Sequence, residues 1–181
     1  MNVTETKLKG VYVVEPQVFG DARGWFMESW SKRKLSAAGI DVEFVQDNQS
    51  YSAEKGTLRG LHYQLNPMCQ AKLLRATRGT IFDVAVDIRK GSPQYGKWVG
   101  VELSAENKKQ LFIPRGFAHG FITLTDDVEV QYRRTITTRR SATGISAGMI
   151  STSRSPGTSR RRSSPRRTRR RRRSGSGRQR R

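Results

Sequence analysis

Cysteine and histidine are scarce in this chain of 181 residues, which contains one cysteine, Cys69, and two histidines, His62 and His119. A single cysteine excludes an intramolecular disulfide and is typical of a reducing compartment, so we expect a cytoplasmic protein. The first residues lack the apolar stretch of a signal peptide. No apolar run approaches the ~20 residues of a membrane-spanning helix.

Acidic residues are absent after Glu129, although the chain carries a net charge of +20. Residues 134–181 contain 17 arginines and no lysine, whereas residues 1–133 contain all 15 acids and have a net charge of about +3. The arginine-rich segment has too few apolar residues to fold alone. We therefore predict a folded domain at residues 1–133 and a disordered basic tail at residues 134–181.

Two interpretations of this tail compete. The tail is either a basic arm that binds nucleic acid through phosphate contacts, or a sequence translated out of frame. All CGN codons encode arginine, so GC-rich DNA in a wrong frame yields arginine, serine, proline, glycine and threonine. Selection for positive charge gives no reason to exclude lysine, and we therefore favour the frame shift.

The remaining sequence consists of short apolar and β-branched segments separated by turn residues, a pattern typical of β-sandwiches and barrels. One short helix is predicted from Ser31, a suitable N-cap, to Ala38, before Gly39. There is no Gly-rich phosphate loop and no alternation of long helices with strands, which argues against a nucleotide-binding α/β fold. We predict an all-β jelly roll, a fold that encloses a ligand cavity between two sheets. Strands are predicted at residues 8–14, 25–30, 44–50, 71–78, 80–88, 98–103, 110–114, 117–124 and 128–132.

The segment from Thr57 to Gln64 is the strongest candidate for an active site, because Arg59 lies three residues before His62. The arginine would lower the pKa of the histidine by charge repulsion and keep it ready to accept a proton. Lys72 would stabilise a developing oxyanion, and Tyr132 would donate a proton from the opposite side. The spacing alone favours a structural His62 and a core Tyr132 over these catalytic roles.

No metal site is expected, because no second histidine or carboxylate stands near His62 at the spacing of a ligand set. The sequence pattern alone does not decide whether His119 is an inward-facing pocket residue or a core histidine. Asp83 and Asp87 share one face of a strand, where either would orient a histidine, but an exposed face is the favoured interpretation. Cys69 has no nucleophile signature.

Eight motifs with consistent order and spacing make residues 1 to about 132 resemble the dTDP-4-dehydrorhamnose 3,5-epimerases of the cupin superfamily. They are Phe19-Gly20-Asp21-Ala22-Arg23-Gly24, Phe44-Val45-Gln46-Asp47-Asn48, Leu58-Arg59-Gly60-Leu61-His62-Tyr63-Gln64, Phe82-Asp83-Val84-Ala85-Val86-Asp87, Gly91-Ser92-Pro93, Gly96-Lys97-Trp98-Val99-Gly100, Leu103-Ser104-Ala105-Glu106-Asn107 and Ile113-Pro114-Arg115-Gly116-Phe117-Ala118-His119-Gly120-Phe121.

This resemblance implies a dimeric isomerase without metal or other cofactor that inverts C3 and C5 of a dTDP-linked 4-keto-6-deoxyhexose in L-rhamnose precursor synthesis. By analogy His62 removes a proton, Tyr132 returns one to the other face, and Lys72 stabilises the enolate. The resemblance also implies a substrate-binding set: Arg23, Glu28, Gln46, Asp47, Asn48, Arg59 and His119. A mono-epimerase of a related deoxysugar pathway is an alternative, as is a nucleic-acid-binding protein that uses the tail.

The chain departs from the family pattern after Arg133. Intact relatives continue with aromatic and acidic residues that include the carboxylate partner of the catalytic histidine, whereas this chain has no acid beyond Glu129. The resemblance therefore implies that this polypeptide is unstable or weakly active.

Overall fold

The computed structural model describes residues 1–135 and the backbone of residues 143–145. One short helix, α1 (Lys32–Ala37), accompanies thirteen strands in the described residues. The strands are β1 (Asn2–Glu5), β2 (Tyr12–Glu15), β3 (Val18–Asp21), β4 (Gly24–Met27), β5 (Gln46–Ser52), β6 (Leu58–Gln64), β7 (Lys72–Arg78), β8 (Thr80–Asp87), β9 (Trp98–Ser104), β10 (Gln110–Ile113), β11 (Phe117–Thr123), β12 (Val128–Arg134) and β13 (Thr143–Ile145).

Two large antiparallel sheets form the predicted β-sandwich. The first sheet has the strand order β1-β2-β10-β7-β12-β5, and the second has the order β13-β6-β11-β8-β9. Strands β3 and β4 form a separate hairpin. The order follows jumps along the chain rather than simple succession, as in a jelly roll, so the predicted fold class is confirmed.

The main core combines apolar side chains of both sheets. Alternate residues of a strand point to opposite faces, so Leu74 belongs to this core while its neighbour Leu73 faces the other way. The core cluster comprises Leu8, Val11, Leu74, Ala76, Ile81, Ala85, Val99, Leu103, Leu111, Ile113, Phe117, Phe121, Val128 and Val130.

Helix α1 covers a second apolar cluster, which forms where Leu73 and Phe112 meet Leu35 of the helix. The Oγ of Ser31 accepts a hydrogen bond from the Lys34 N–H at 3.4 Å, which confirms the predicted N-cap. Gly39 has a φ of +85° just beyond the helix, a conformation that glycine adopts without a steric penalty. No helix among the described residues is long and apolar enough to span a membrane.

The predicted boundary at residue 133 is too early. Strand β12 continues to Arg134, and the Ala71 N–H donates to the buried Thr135 Oγ1 at 3.0 Å. Strand β13 also lies within the segment predicted to be a disordered tail and pairs with β6. Composition did not reveal these pairings because they depend on strands distant in sequence. The other residues of 134–181 lie outside the described part of the chain.

Three predicted segments also differ in detail. Leu8 lies in a turn, and the strand predicted from it begins at Tyr12. The strand predicted at residues 25–30 is β4, which begins at Gly24, ends at Met27 and forms a hairpin with β3. Strand β5 is largely polar and runs to Ser52, beyond the predicted end, because it pairs with β12 along its whole length.

Replacing Leu74 with alanine tests the packing between the sheets. The side chain is fully buried, and we expect L74A to lower the free energy of unfolding by about 2–5 kcal/mol. Chemical denaturation monitored by tryptophan fluorescence measures this change. The matched variant L58A removes a leucine that is 68% exposed and should change the stability by less than about 0.5 kcal/mol. Equal losses in the two variants would contradict the assigned core.

Candidate active site

The pairing of β6 with β11 places the two histidines of the chain side by side. His62 is the register partner of His119, and their rings lie edge to face with centroids 5.6 Å apart. The strands approach closely at two glycines, since a Cβ on Gly60 would lie 2.6 Å from the Gly120 Cα. The φ of Gly60 is +124°, a second reason why glycine is required here.

A cavity of about 310 Å³ opens beside these histidines. Four of the predicted site residues line it, namely Arg59, His62, His119 and Tyr132, so the structure brings together one set from three different strands. Ser50, Gly60 and Phe121 complete the lining. The site lies between the two sheets, because Tyr132 belongs to the first sheet and the histidines belong to the second.

A buried hydrogen-bonded chain lies behind His119. The Lys72 Nζ is 3.4 Å from His119 Nδ1, and His119 Nε2 is 2.9 Å from Asp83 Oδ2. A lysine ammonium can only donate, so Nδ1 accepts and the Nε2–H donates to the carboxyl group of Asp83. His119 is therefore neutral, and its tautomer is fixed by its two neighbours.

The electrostatic environment disfavours protonated histidine. The pKa of His62 is lowered to about 3, mainly by burial and then by Lys72, His119, Arg134 and Arg59, in that order. The predicted effect of Arg59 thus has the correct sign but is the smallest of these causes. Burial also lowers the pKa of His119, and Lys72 and Arg134 add to this effect.

The pKa values of Lys72 and Asp83, the two charged residues bonded to His119, are shifted as well. Burial lowers the pKa of Lys72 to about 8, and the charge of Arg134 contributes in the same direction. Burial raises the pKa of Asp83, an effect that Lys72 partly offsets. Asp83 has one carboxyl oxygen, Oδ1, without a hydrogen-bond partner in the described residues.

His62 itself has no acidic partner. All 15 acids of the sequence lie at or before Glu129 and so within the described residues. The carboxyl group of Asp83 bonds His119 rather than His62, and no acid contributes to the pKa of His62. Within the described residues, no carboxylate is therefore available to stabilise protonated His62.

Two arginines near His62 are held by contacts with residues of the first sheet. Arg59 donates from Nε to Ser52 Oγ at 3.0 Å and from a terminal nitrogen to the Tyr51 carbonyl at 2.7 Å. The Arg134 guanidinium lies 4.7 Å from the centre of the Tyr132 ring. The cavity thus combines an unprotonated base, a phenol on another wall and positive charge, which suits proton transfer at a carbon acid whose intermediate is anionic.

The remaining predicted binding residues do not line this cavity. Gln46 and Asn48 of β5 share a hydrogen bond of 2.8 Å, and Asp47 forms an ion pair of 3.3 Å with Arg133. Arg23 lies on the β3–β4 hairpin and pairs with Asp21, while Glu28 pairs with Lys34 at 2.8 Å. The hairpin forms a separate concave surface lined by Phe19, Gly20, Asp21, Arg23, Gly24, Trp25 and Phe26.

The favoured interpretation of Asp83 and Asp87 as an exposed face is wrong, because both side chains are fully buried. Asp83 orients His119, and Asp87 bonds Arg89 and Ser92 in the turn after β8. The partner of Asp83 comes from β11, whereas those of Asp87 lie in the turn that follows its own strand, and the alternation of residues along β8 indicates neither bond. Sequence reasoning also missed Ser50 and Phe121, which line the cavity, and Arg134, whose charge acts on His62. Within the described residues, no group of three His, Cys, Asp or Glu side chains is arranged to hold a metal ion.

Comparisons with known proteins agree with this geometry. A sequence model of the dTDP-4-dehydrorhamnose 3,5-epimerase family matches residues 5–147. The Shigella flexneri enzyme of that name is 60% identical over 134 residues, which cover 74% of each chain.

Two solved structures are also closely similar. The Bacillus anthracis dTDP-4-dehydrorhamnose 3,5-epimerase, with TDP and PPi bound, superposes with a TM-score of 0.78 at 46% identity, covering 80% of this chain and 82% of that one. The Legionella pneumophila dTDP-6-deoxy-D-glucose-3,5-epimerase, in complex with dTDP-4-keto-L-rhamnose, has a TM-score of 0.75 at 48% identity, covering 78% and 75%. With its jelly-roll sandwich and paired histidines, the chain belongs to the dTDP-4-dehydrorhamnose 3,5-epimerase family.

Proposed function

We propose that the His62 cavity epimerises C3 and C5 of a dTDP-linked 4-keto-6-deoxyhexose, as an isomerase of L-rhamnose precursor synthesis. The main support is the position of His62 and Tyr132 as two walls of one cavity in a member of this family. The names of the curated relatives support a double epimerase over a mono-epimerase or a nucleic-acid-binding protein. A cytoplasmic location, which the single cysteine favours, is part of the proposal.

The reaction requires one proton to leave a carbon and another to arrive on the opposite face. Both carbons flank the C4 ketone, so the electrons of the broken C–H bond move to the ketone oxygen and form an enolate. Neutral His62 takes the proton, and the phenol of Tyr132 gives its proton to the other face of the carbon. Exchange with solvent then restores the phenol and the imidazole. The step balances without an oxidant or reductant.

Lys72 supports this step from behind His119. The buried ammonium, 3.4 Å from His119 Nδ1, polarises the imidazole, and its positive charge favours a negative enolate oxygen on the cavity side of His119. Its pKa of about 8 keeps Lys72 charged at neutral pH. Arg59 and His119 contact the substrate, and Gln46, Asp47 and Asn48 contribute to the nucleotide side from β5.

The same charges limit the activity. Burial already disfavours protonated His62, and the imidazolium would also lie near Lys72, Arg134 and Arg59 without a carboxylate, which lowers its pKa further. A base whose conjugate acid is so unstable removes protons from carbon slowly. We therefore expect measurable but weak turnover from this chain.

We propose that Arg23 and Glu28 act at the cavity of a second copy of the chain. Neither residue lines the His62 cavity of its own subunit, and the hairpin carries Phe19, Trp25 and Phe26 with 55%, 59% and 70% of their surfaces exposed. In the proposed homodimer, this hairpin reaches the cavity of the partner, where Arg23 binds the diphosphate and Glu28 the nucleoside. The exposed aromatic side chains would then be buried between the subunits.

Incubation of the dTDP-4-keto-6-deoxyglucose substrate in D₂O tests the reaction. We expect NMR to show deuterium at both C3 and C5, and we expect H62N and Y132F to slow the exchange by about 10²–10⁴-fold. Y95F removes a phenol from an exposed tyrosine and should retain the original rate. Exchange at one carbon only would identify a mono-epimerase, and exchange that survives H62N would exclude the proposed base.

The low pKa of His62 predicts a pH dependence of stability. In the unfolded chain a histidine binds a proton near pH 6.5, whereas folded His62 does so near pH 3. The unfolded state therefore gains protons first, and the stability falls as the pH is lowered through this interval. Urea unfolding of the original chain and of H62Q should show a smaller pH slope for the variant. Identical slopes would contradict the shifted pKa.

Complementation tests the shared site. R23A and H62N should each be inactive alone, whereas co-refolded subunits should recover about a quarter of the wild-type sites, because half of a random mixture is heterodimer with one intact site. The control mixture H62N with Y132F places both changes in one cavity and should recover nothing if Arg23 acts across the interface. If mass spectrometry confirms heterodimers of R23A and H62N but the mixture gains no activity, the proposed contribution of Arg23 to the partner's cavity is wrong.

A further inference from the structure

We infer that the DNA encoding residues 136–181 carries, in the frame one base upstream, the C-terminal part of the active site, including the acid that His62 lacks. The inference rests on the proposed function, because only a proton-transfer role for His62 demands that acid. It goes further by naming the frame, the point where that frame resumes and an aspartate codon within it.

The need for the acid comes from the folded chain. Every acid of the sequence is within the described residues, and none contacts His62. Arg134 lies just before residues 136–181, and its positive charge contributes to the lowered pKa values of His62, Lys72 and His119. The site has one base and several cations, so no negative charge stabilises protonated His62.

Contacts between the β12 segment and the β7 segment continue through Thr135. Its N–H donates to the Ala71 carbonyl at 3.2 Å, and its hydroxyl accepts from the Ala71 N–H. The next residues are Ile136, Thr137 and Thr138, whose codons begin with AT, AC and AC whatever their third base. In the frame one base upstream, these three positions encode only tyrosine, histidine, asparagine or aspartate. Aromatic and polar residues therefore replace the β-branched run directly after codon 135.

Met149 and Ile150 distinguish the two alternative frames. Methionine has the single codon ATG, and every isoleucine codon begins with AT. The frame one base downstream therefore contains the stop codon TGA at this junction, whatever the codon usage. The frame one base upstream contains GAT, which is aspartate, at the same junction. The downstream frame therefore ends at a stop codon here, whereas the upstream frame encodes an aspartate.

The upstream frame also remains open through the rest of the sequence. A stop in this frame requires a base T followed by a codon that begins with AA, GA or AG. No lysine, asparagine, aspartate or glutamate occurs after Thr135, so only AG-type serine or arginine codons can create one. This frame permits further aspartates at Thr152, Thr158 and Thr168, and tryptophan at Gly148 and Gly157. A soluble acidic and aromatic segment is thus compatible with the same DNA that yields the arginine-rich tail.

The nucleotide sequence of codons 130–181 is the first test. We expect the upstream frame to be free of stops from codon 136 and to contain tryptophan codons as well as the aspartate codon across Met149 and Ile150. A stop in that frame shortly after codon 136 would overturn the inference.

A gene with one base restored after codon 135 provides the functional test. The restored chain should epimerise at least about 10²-fold faster than the 181-residue chain, and NMR titration should show a higher pKa for His62. Changing each aspartate of the restored segment to asparagine should identify one that lowers both the rate and this pKa. A restored chain with unchanged rate and unchanged His62 pKa would overturn the inference. A restored chain with a raised His62 pKa but no epimerisation would reject the proposed function alone.

Discussion

The close pairing of β6 with β11 is the constraint on which the active site depends. It sets His62 opposite His119, and it is possible only because Gly60 and Gly120 leave room for the backbones to meet. The same register brings His119 within reach of Lys72 on one side and Asp83 on the other. A side chain at either glycine would separate the strands and with them the two imidazoles.

Charge balance decides how this geometry performs. Asp83 is engaged in a buried bond to His119, so no acid among the described residues balances the cations around His62. An enolate would be well stabilised by such a site, yet the base that creates it would be weak. The two effects oppose each other although they arise at one place in the fold, since Lys72 and Arg134 are register partners in the pairing of β7 with β12.

Much of this site could be predicted from the sequence because its residues lie in distinctive local motifs. The fold class followed from many short strands and turns, and the α1 N-cap followed from Ser31 alone. Asp83 was misjudged because burial of a carboxyl group depends on a lysine and a histidine from other strands, which a local pattern does not contain. The separation of Arg23 from the His62 cavity was equally invisible, since a motif gives the identity of a binding residue but not the subunit on which it acts.

The position of Thr135 has a consequence for synthesis of the protein. All six strands of the first sheet, four of the five strands of the second and every residue of the main core precede codon 136. A ribosome has therefore delivered nearly all of the sandwich before it reaches the arginine-rich segment. A frame error in the later codons would therefore leave the strands and the core intact and reduce only the activity. Such a product would escape degradation more readily than one altered in β7 or β11.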